Sequence, residues 1–81
     1  MNTETLSVQI RLMSQATEVA LDLEANDPNA AEEKLFSISE DLGLLKVLVG
    51  ADDSSFKNME SINNSLKSRA VTAKSKKDKY I

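Results

Sequence analysis

Apolar residues in the middle of the chain recur at alternating spacings of four and three positions. These spacings place side chains on one face of an α-helix, because about 3.5 residues nearly complete one helical turn. The pattern predicts a helix over residues 28–49 that packs this face against other helices. The face consists of Ala31, Leu35, Ile38, Leu42, Leu45 and Val49.

A similar pattern precedes this segment and predicts a helix over residues 3–25. A face wide enough for two neighbouring helices is expected, because apolar residues cover more than one stripe of this segment. The main stripe is predicted to be Leu6, Ile10, Met13, Ala16, Ala20 and Leu23. The residues that widen it are Val8, Leu12, Val19 and Leu21.

A third amphipathic pattern predicts a helix over residues 53–73. Its apolar stripe is thinner than the other two, and asparagines lower its intrinsic helix tendency, so packing must hold it in place. The stripe is predicted to be Phe56, Met59, Ile62, Leu66, Ala70 and Ala73.

Turn-forming residues separate the three segments. Pro28 suits the first turn of the second helix, and the carboxylate of Asp27 can accept hydrogen bonds from its free N–H groups. Gly50 is the residue type best able to close that helix, and the acidic residues after it suit the start of the third. Within the second helix, Gly43 marks a close helix crossing or is a glycine that the helix tolerates.

The composition favours an all-α fold. The 81 residues include two glycines and one proline, and 41% of them are hydrophobic, as in globular helical domains. We expect one domain over residues 1–73, folded as a small three-helix bundle or as a helical hairpin with a third helix. An intertwined homodimer is the alternative to a closed monomer, since so short a chain builds only a small core. Residues 74–81 are predicted to be a basic, flexible tail.

Residue types that carry much of protein chemistry are missing. The chain has no cysteine and no histidine, which removes the two strongest zinc ligands and a cysteine nucleophile. Oxygen-bearing side chains from Asp22 to Glu33 approach the spacing of a calcium-binding loop, but Asp27 stands where such a loop needs glycine. The carboxylate clusters are typical of solvated helix faces. We expect no enzymatic activity, no metal and no cofactor.

Signals for membrane insertion or export are not found in the sequence. Continuous apolar runs such as Val47 to Val49 are three residues long, far shorter than a bilayer span requires. In the N-terminal segment the acidic Glu4 precedes any basic residue, unlike the basic start of a secretory signal. We therefore expect a cytoplasmic protein without membrane contact.

Hydrophobic residues surround the end of the second helix on nearly all sides. The third helix is too polar to cover them all, so we expect a second subunit or a target protein to complete their burial. A homo-oligomer is favoured over a closed monomer. The residues predicted to contact a partner here are Leu44, Val47 and Leu48.

Charge changes sign near the end of the chain. Residues 1–66 carry four basic and twelve acidic side chains, net −8, whereas residues 67–81 carry six basic and one acidic, net +5. The basic region can attract an acidic partner or can simply be a solvated segment. Its predicted partner-binding residues are Lys67, Arg69, Lys74, Lys76 and Lys77.

These features together predict a non-enzymatic protein-interaction module. A regulator, an inhibitor or a chaperone-like accessory protein would act in this way, by occupying the surface of another protein. The alternative is a weak, sequence-independent nucleic-acid accessory factor that uses the basic tail. The sequence does not identify the partner.

Overall fold

Three helices that pack against one another make up residues 3–79, the part of the chain that a computed structural model describes; side chains are described for residues 3–76. The helices are α1 (Thr3–Glu24), α2 (Pro28–Val49) and α3 (Ser54–Lys79). This architecture confirms the predicted all-α three-helix bundle. α3 extends six residues beyond the predicted end at residue 73, and residues 80 and 81 of the predicted tail lie outside the described residues.

The turn between α1 and α2 is built by Asn26 and Asp27. Asn26 adopts a left-handed conformation, with φ of 60°, and its N–H donates to the carbonyl of Leu23 at 3.1 Å. The N–H of Asp27 donates to the carbonyl of Asp22 at 2.9 Å, which completes a Schellman motif at the end of α1. The Asp27 carboxylate then accepts the N–H of Ala30 at 3.3 Å, which confirms it as the N-cap of α2.

The turn between α2 and α3 uses a glycine and an aspartate. Gly50 has φ of 91° and ψ of 155° and donates its N–H to the carbonyl of Lys46 at 2.8 Å. The Asp53 carboxylate accepts the N–H groups of Ser55 and Phe56 at 2.9 and 3.1 Å, and also the Ser55 hydroxyl. These hydrogen bonds, the one from the Ser55 hydroxyl above all, lower the pKa of Asp53 because they stabilise the ionised carboxylate.

The core lies along the predicted face of α2. All of its members are buried except Val49, which is half-buried against the core. Gly43 is exposed, and a Cβ added to it would meet no atom within 4 Å, so no helix crosses closely there within the bundle. The buried apolar residues are Val8, Leu12, Val19, Ala31, Leu35, Ile38, Leu42, Leu45, Phe56, Leu66 and Ala70.

The predicted stripe of α1 was wrong in its first half. Val8 and Leu12 lie in the core, whereas the residues predicted to form the main stripe there are exposed, namely Leu6, Ile10 and Met13. Polar contacts on either side of Val8 and Leu12 hold this orientation, since Gln9 reaches α3 and Arg11 reaches α2. α1 contacts both other helices, as its wide apolar face predicted.

One position of α3 was also assigned wrongly. Ile62 was predicted to be part of the core but is exposed, and the neighbouring Asn63 is buried instead. When Asn63 is included, the buried and half-buried positions of α3 from Phe56 to Ala73 recur at alternating spacings of three and four. The regular helical repeat, rather than hydrophobicity, therefore decides which residue faces inward.

Candidate interaction surfaces

A groove runs between α2 and α3, and we call it the α2–α3 groove. Its floor is formed by the buried residues Leu35 and Ala70, and its walls by Phe36 and Val71, which are 70% and 65% exposed. The groove has a volume of about 340 Å³. It is lined by Glu32, Leu35, Phe36, Ser39, Lys67, Ala70 and Val71.

Charged residues border this groove. The Lys74 ammonium of α3 lies 3.1 Å from a carboxylate oxygen of Glu32 on α2. Both side chains are substantially exposed, so the pair adds little stability. Lys67 lines the same groove and makes no ion pair with another described residue. The predicted partner-binding residue Lys74 is therefore neutralised within the chain, whereas Lys67 is available.

The sequence prediction did not single out Phe36. It lies next to Leu35, outside the heptad face of α2, and a large aromatic side chain at an off-face position of an amphipathic helix was the available signal. The chain contains two phenylalanines. Phe56 is buried in the core, so Phe36 is the one presented to solvent.

The residues predicted to bind a partner at the end of α2 have different environments. Val47 is 82% exposed and lies on the same side of α2 as Phe36, since eleven residues complete about three helical turns. Leu44 is 37% exposed and lies one turn after Asp41, which pairs with Arg11 of α1. Leu48 is half-buried and packs against the core.

The predicted basic cluster is divided between two sides of α3. Lys67 and Lys74 face α2, whereas Arg69 and Lys76 line a groove with Leu23 and Asn26 at the end of α1. Residues two positions apart on a helix point in nearly opposite directions, which separates the two pairs. The side chain of Lys77 lies outside the described residues.

Arg69 and Lys76 can stabilise the C-terminal end of α1 through their positive charge. α1 has no basic residue in its last turn, and free carbonyl groups make the C-terminal end of a helix negative. Arg69 and Lys76 line the groove that contains Asn26, which lies two residues after the end of α1. Their charge therefore complements the end of α1.

A second apolar surface runs along the outer side of α1, and we call it the α1 outer face. Leu6, Ile10, Met13 and Leu21 are between 48% and 59% exposed and recur on one side of the helix. Thr17 lies between them, and its hydroxyl donates to the carbonyl of Met13 at 2.9 Å. The threonine polar group is thus satisfied within the helix, which leaves its methyl group to extend the apolar face.

Two acidic residues pair with basic residues of a neighbouring helix. Asp22 lies 2.6 Å from the ammonium of Lys34, and Asp41 lies 3.2 Å from the guanidinium of Arg11. The hydrogen bond to Asp22 raises the pKa of Lys34, because the carboxylate favours the charged ammonium. Both pairs join α1 to α2.

Neither a membrane-spanning helix nor a metal-binding cluster is found in the described part of the chain. None of the helices within residues 3–79 has the length and hydrophobicity needed to span a bilayer. Acidic side chains in that range do not form a group of three or more suited to a metal ion.

The chain matches none of the protein-family models, curated proteins or solved structures with which it was compared. Its surfaces are therefore interpreted from their own geometry and chemistry.

Proposed function

We propose that this chain is a non-enzymatic, cytoplasmic protein-interaction module that binds a helix of another protein in the α2–α3 groove. It acts as a regulator, an inhibitor or an accessory protein by occupying that partner's surface. The same proposal includes self-association into a homo-oligomer through a different face. The exposed Phe36 beside a groove with an apolar floor is the observation that carries it.

The shape of the groove favours a helical ligand. Two packed helices form its walls, and an amphipathic helix can lay its apolar side into such a groove with anchors one turn apart. Phe36 and Val71 already extend into solvent, so binding would remove their apolar surface from water without rearrangement of the core. Aromatic residues are enriched at the centre of protein interfaces.

The charge around the groove defines the partner further. Lys67 is the groove cation that is not paired within the described residues, whereas Lys74 is held by Glu32. An acidic side chain on the bound helix would pair with Lys67 and set its register. We therefore expect an amphipathic helix with apolar residues at helical spacing and an acidic residue beside them.

The alternative, a nucleic-acid accessory factor, has weaker support. Phosphate binding depends on several cations that follow the same backbone. Here Lys67 and Lys74 lie on one side of α3 and Arg69 and Lys76 on the other, and Lys74 is paired with Glu32. Within residues 3–76, the remaining cations of α3 do not form one continuous basic stripe.

Affinity purification from the native host with nuclease treatment tests the proposal. The wild-type chain should capture a protein that the variants Phe36→Ser and Lys67→Glu fail to capture. Lys57→Glu provides the matched control for Lys67→Glu, because Lys57 is also an exposed lysine of α3 but does not line the groove, and it should capture as the wild type does. Capture that depends on intact nucleic acid, or that survives Phe36→Ser, would contradict the proposal.

A further inference from the structure

We infer that the α1 outer face binds the same face of a second copy, with the two α1 helices antiparallel. The inference rests on the proposed self-association and is independent of the partner expected in the α2–α3 groove. Two copies related by a two-fold axis bury the same patch on both, so the patch must be complementary to itself. The α1 outer face meets that requirement in its spacing, its shape and its charge.

The spacing of the face is symmetric about a point between Met13 and Ser14. Leu6 lies as far before this point as Leu21 lies after it, and Ile10 and Thr17 are likewise equidistant. An antiparallel pair centred there places Leu6 against Leu21 of the second copy. It also places Ile10 against Thr17 of the second copy and Met13 beside Ser14 of the second copy.

The shape of the face fits such a pair. A shallow groove of about 390 Å³ is lined by Ile10, Met13, Ser14 and Thr17, with Glu18 at its edge. The first four occupy positions i, i+3, i+4 and i+7, the arrangement that forms a hole for one side chain of a facing helix. The proposed two-fold axis passes through this hole. The flexible thioether of Met13 is well suited to fill the equivalent hole of the second copy.

The centre of the face carries no charge. Its positions from Thr3 to Leu21 carry no charged side chain, although residues 1–66 are strongly acidic and Glu18 lies at the edge of its groove. The antiparallel pair separates the two Glu18 side chains by about 14 Å along the axis, so like charges do not meet at its centre. The Thr17 hydroxyl is already satisfied by the Met13 carbonyl, so burial leaves no donor unpaired there.

Repulsion between like charges favours the antiparallel orientation. In this pair, Glu24 near the end of α1 lies at the level of Thr3 of the second copy, in a first turn that also carries Glu4. The two Glu24 side chains are about 31 Å apart along the axis of the antiparallel pair. A parallel pair would place Glu24 beside Glu24 of the second copy.

α3 widens the interface on one side. Met13 lines a second groove together with Met59 and with the hydrogen-bonded pair Gln9 and Ser55. A two-fold axis perpendicular to the pair puts the α3 helices of both copies on the same side. The half-buried Met59 and the exposed Ile62 then add apolar surface there.

The expected dimer is weak. From residue 3 to residue 21 the face is about 27 Å long at about 1.5 Å per residue, and a single helix pair of that length lies at the low end of interface sizes. Sedimentation analysis over about a hundredfold range of concentration should show a mass that rises from monomer to dimer. Ile10→Glu should raise the dissociation constant about tenfold or more, and Phe36→Glu should leave it unchanged.

Single cysteines define the geometry, because the natural chain has none. Under mild oxidation Ser14→Cys should form a disulfide dimer, since residue 14 of each copy lies next to the two-fold axis. Leu21→Cys alone should not, because the antiparallel pair separates its two thiols by about 22 Å along the axis. A mixture of Leu6→Cys and Leu21→Cys should form the mixed dimer. Val47→Cys, exposed on α2, is the control and should not form a disulfide dimer.

Different results would overturn different parts of the inference. A constant monomer mass would reject self-association and, with it, this interface. A concentration-dependent dimer in which Ser14→Cys does not cross-link would keep self-association but reject the α1 outer face. Efficient cross-linking of Leu21→Cys to itself would reject the antiparallel orientation.

Discussion

Ile62 and Asn63 are adjacent on α3, yet the apolar residue is 42% exposed and the polar one 4% exposed. The Oδ1 atom of Asn63 has no hydrogen-bond partner among the described residues. A buried polar group without a partner loses its hydration and gains nothing in exchange. The bundle therefore contains a destabilising residue at a regular core position of α3.

Replacing Asn63 by leucine should stabilise the fold by about 1–3 kcal/mol, because the desolvated amide is removed and apolar surface is buried in its place. Thermal and urea unfolding measure the change. Asn64→Leu is the matched control, since Asn64 is exposed and its replacement should change stability by less than about 0.5 kcal/mol. A loss of stability in Asn63→Leu would show that the amide is satisfied or that the site does not accept the larger side chain.

The two glycines should respond to alanine in opposite directions. Gly43→Ala should stabilise α2 by about 0.5–1 kcal/mol, because the position is helical and its Cβ meets open space. Gly50→Ala should destabilise by about 1–3 kcal/mol, because φ of 91° with ψ of 155° belongs to a region that glycine alone occupies readily. Chemical unfolding of both variants beside the wild type checks the signs, and a destabilised Gly43→Ala would indicate a close contact on that side.

Aspartate substitutions should separate the core of α2 from its surface. Leu42→Asp and Leu45→Asp place a carboxylate among buried side chains and should destabilise by several kcal/mol, on the order of 4. Val47→Asp, on the same helix but exposed, should retain the helical circular dichroism and the melting temperature of the wild type. Equal melting temperatures in all three variants would disprove the core assignment.

Asp53 should make stability depend on pH in the acidic range. Its pKa is lowered in the folded chain, so the ionised carboxylate stabilises the fold above its ordinary value of about 3.9. That stabilisation is lost as the pH falls through the lowered pKa. Asp53→Asn keeps a side-chain oxygen for the N–H groups of Ser55 and Phe56 but does not titrate.

The melting temperature of Asp53→Asn should therefore fall less than that of the wild type on acidification below about pH 4. The quantity to measure is the difference in melting temperature between wild type and variant at each pH, because other carboxylates also become protonated on acidification. Equal falls in melting temperature for wild type and variant would show that Asp53 does not contribute to the pH dependence of stability.

Removal of residues 74–81 should leave the bundle folded. Among the side chains of residues 3–76, the last buried one is Ala70, Ala73 is half-buried, and residues 74–76 are exposed. The truncation loses the Lys74 to Glu32 pair, worth about 0.2–1 kcal/mol for exposed partners. Lys74→Gln in the full chain removes the same pair and should account for the whole change.

The truncation also tests the basic tail as a recruitment element. If the tail attracts the partner, its removal should weaken partner binding and reduce the dependence of binding on salt. Unfolding of the truncated chain would show that the end of α3 is structural. Unchanged binding at low salt would show that the partner contacts the helices alone.

The sequence by itself determined the elements that depend on local chemistry. The heptad face of α2 needed only its own spacing, Asp27 and Gly50 marked the ends of that helix through capping and backbone conformation, and the scarcity of glycine and proline favoured an all-α fold. Each of these follows from interactions between residues close together in the chain. The exposure of Val47 and the charge reversal near Leu66 were likewise visible from the pattern.

Only the tertiary structure decided which sides of α1 and α3 face inward. Apolar residues cover so much of α1 that hydrophobicity alone favoured Leu6 and Ile10 over Val8 and Leu12. A helix must keep the same side towards its neighbours along its whole length, so the side that stays in register with α2 is buried even where it carries a polar residue such as Asn63. The apolar residues left outside by this packing form the α1 outer face and the walls of the α2–α3 groove, because close packing of three helices cannot bury every stripe at once.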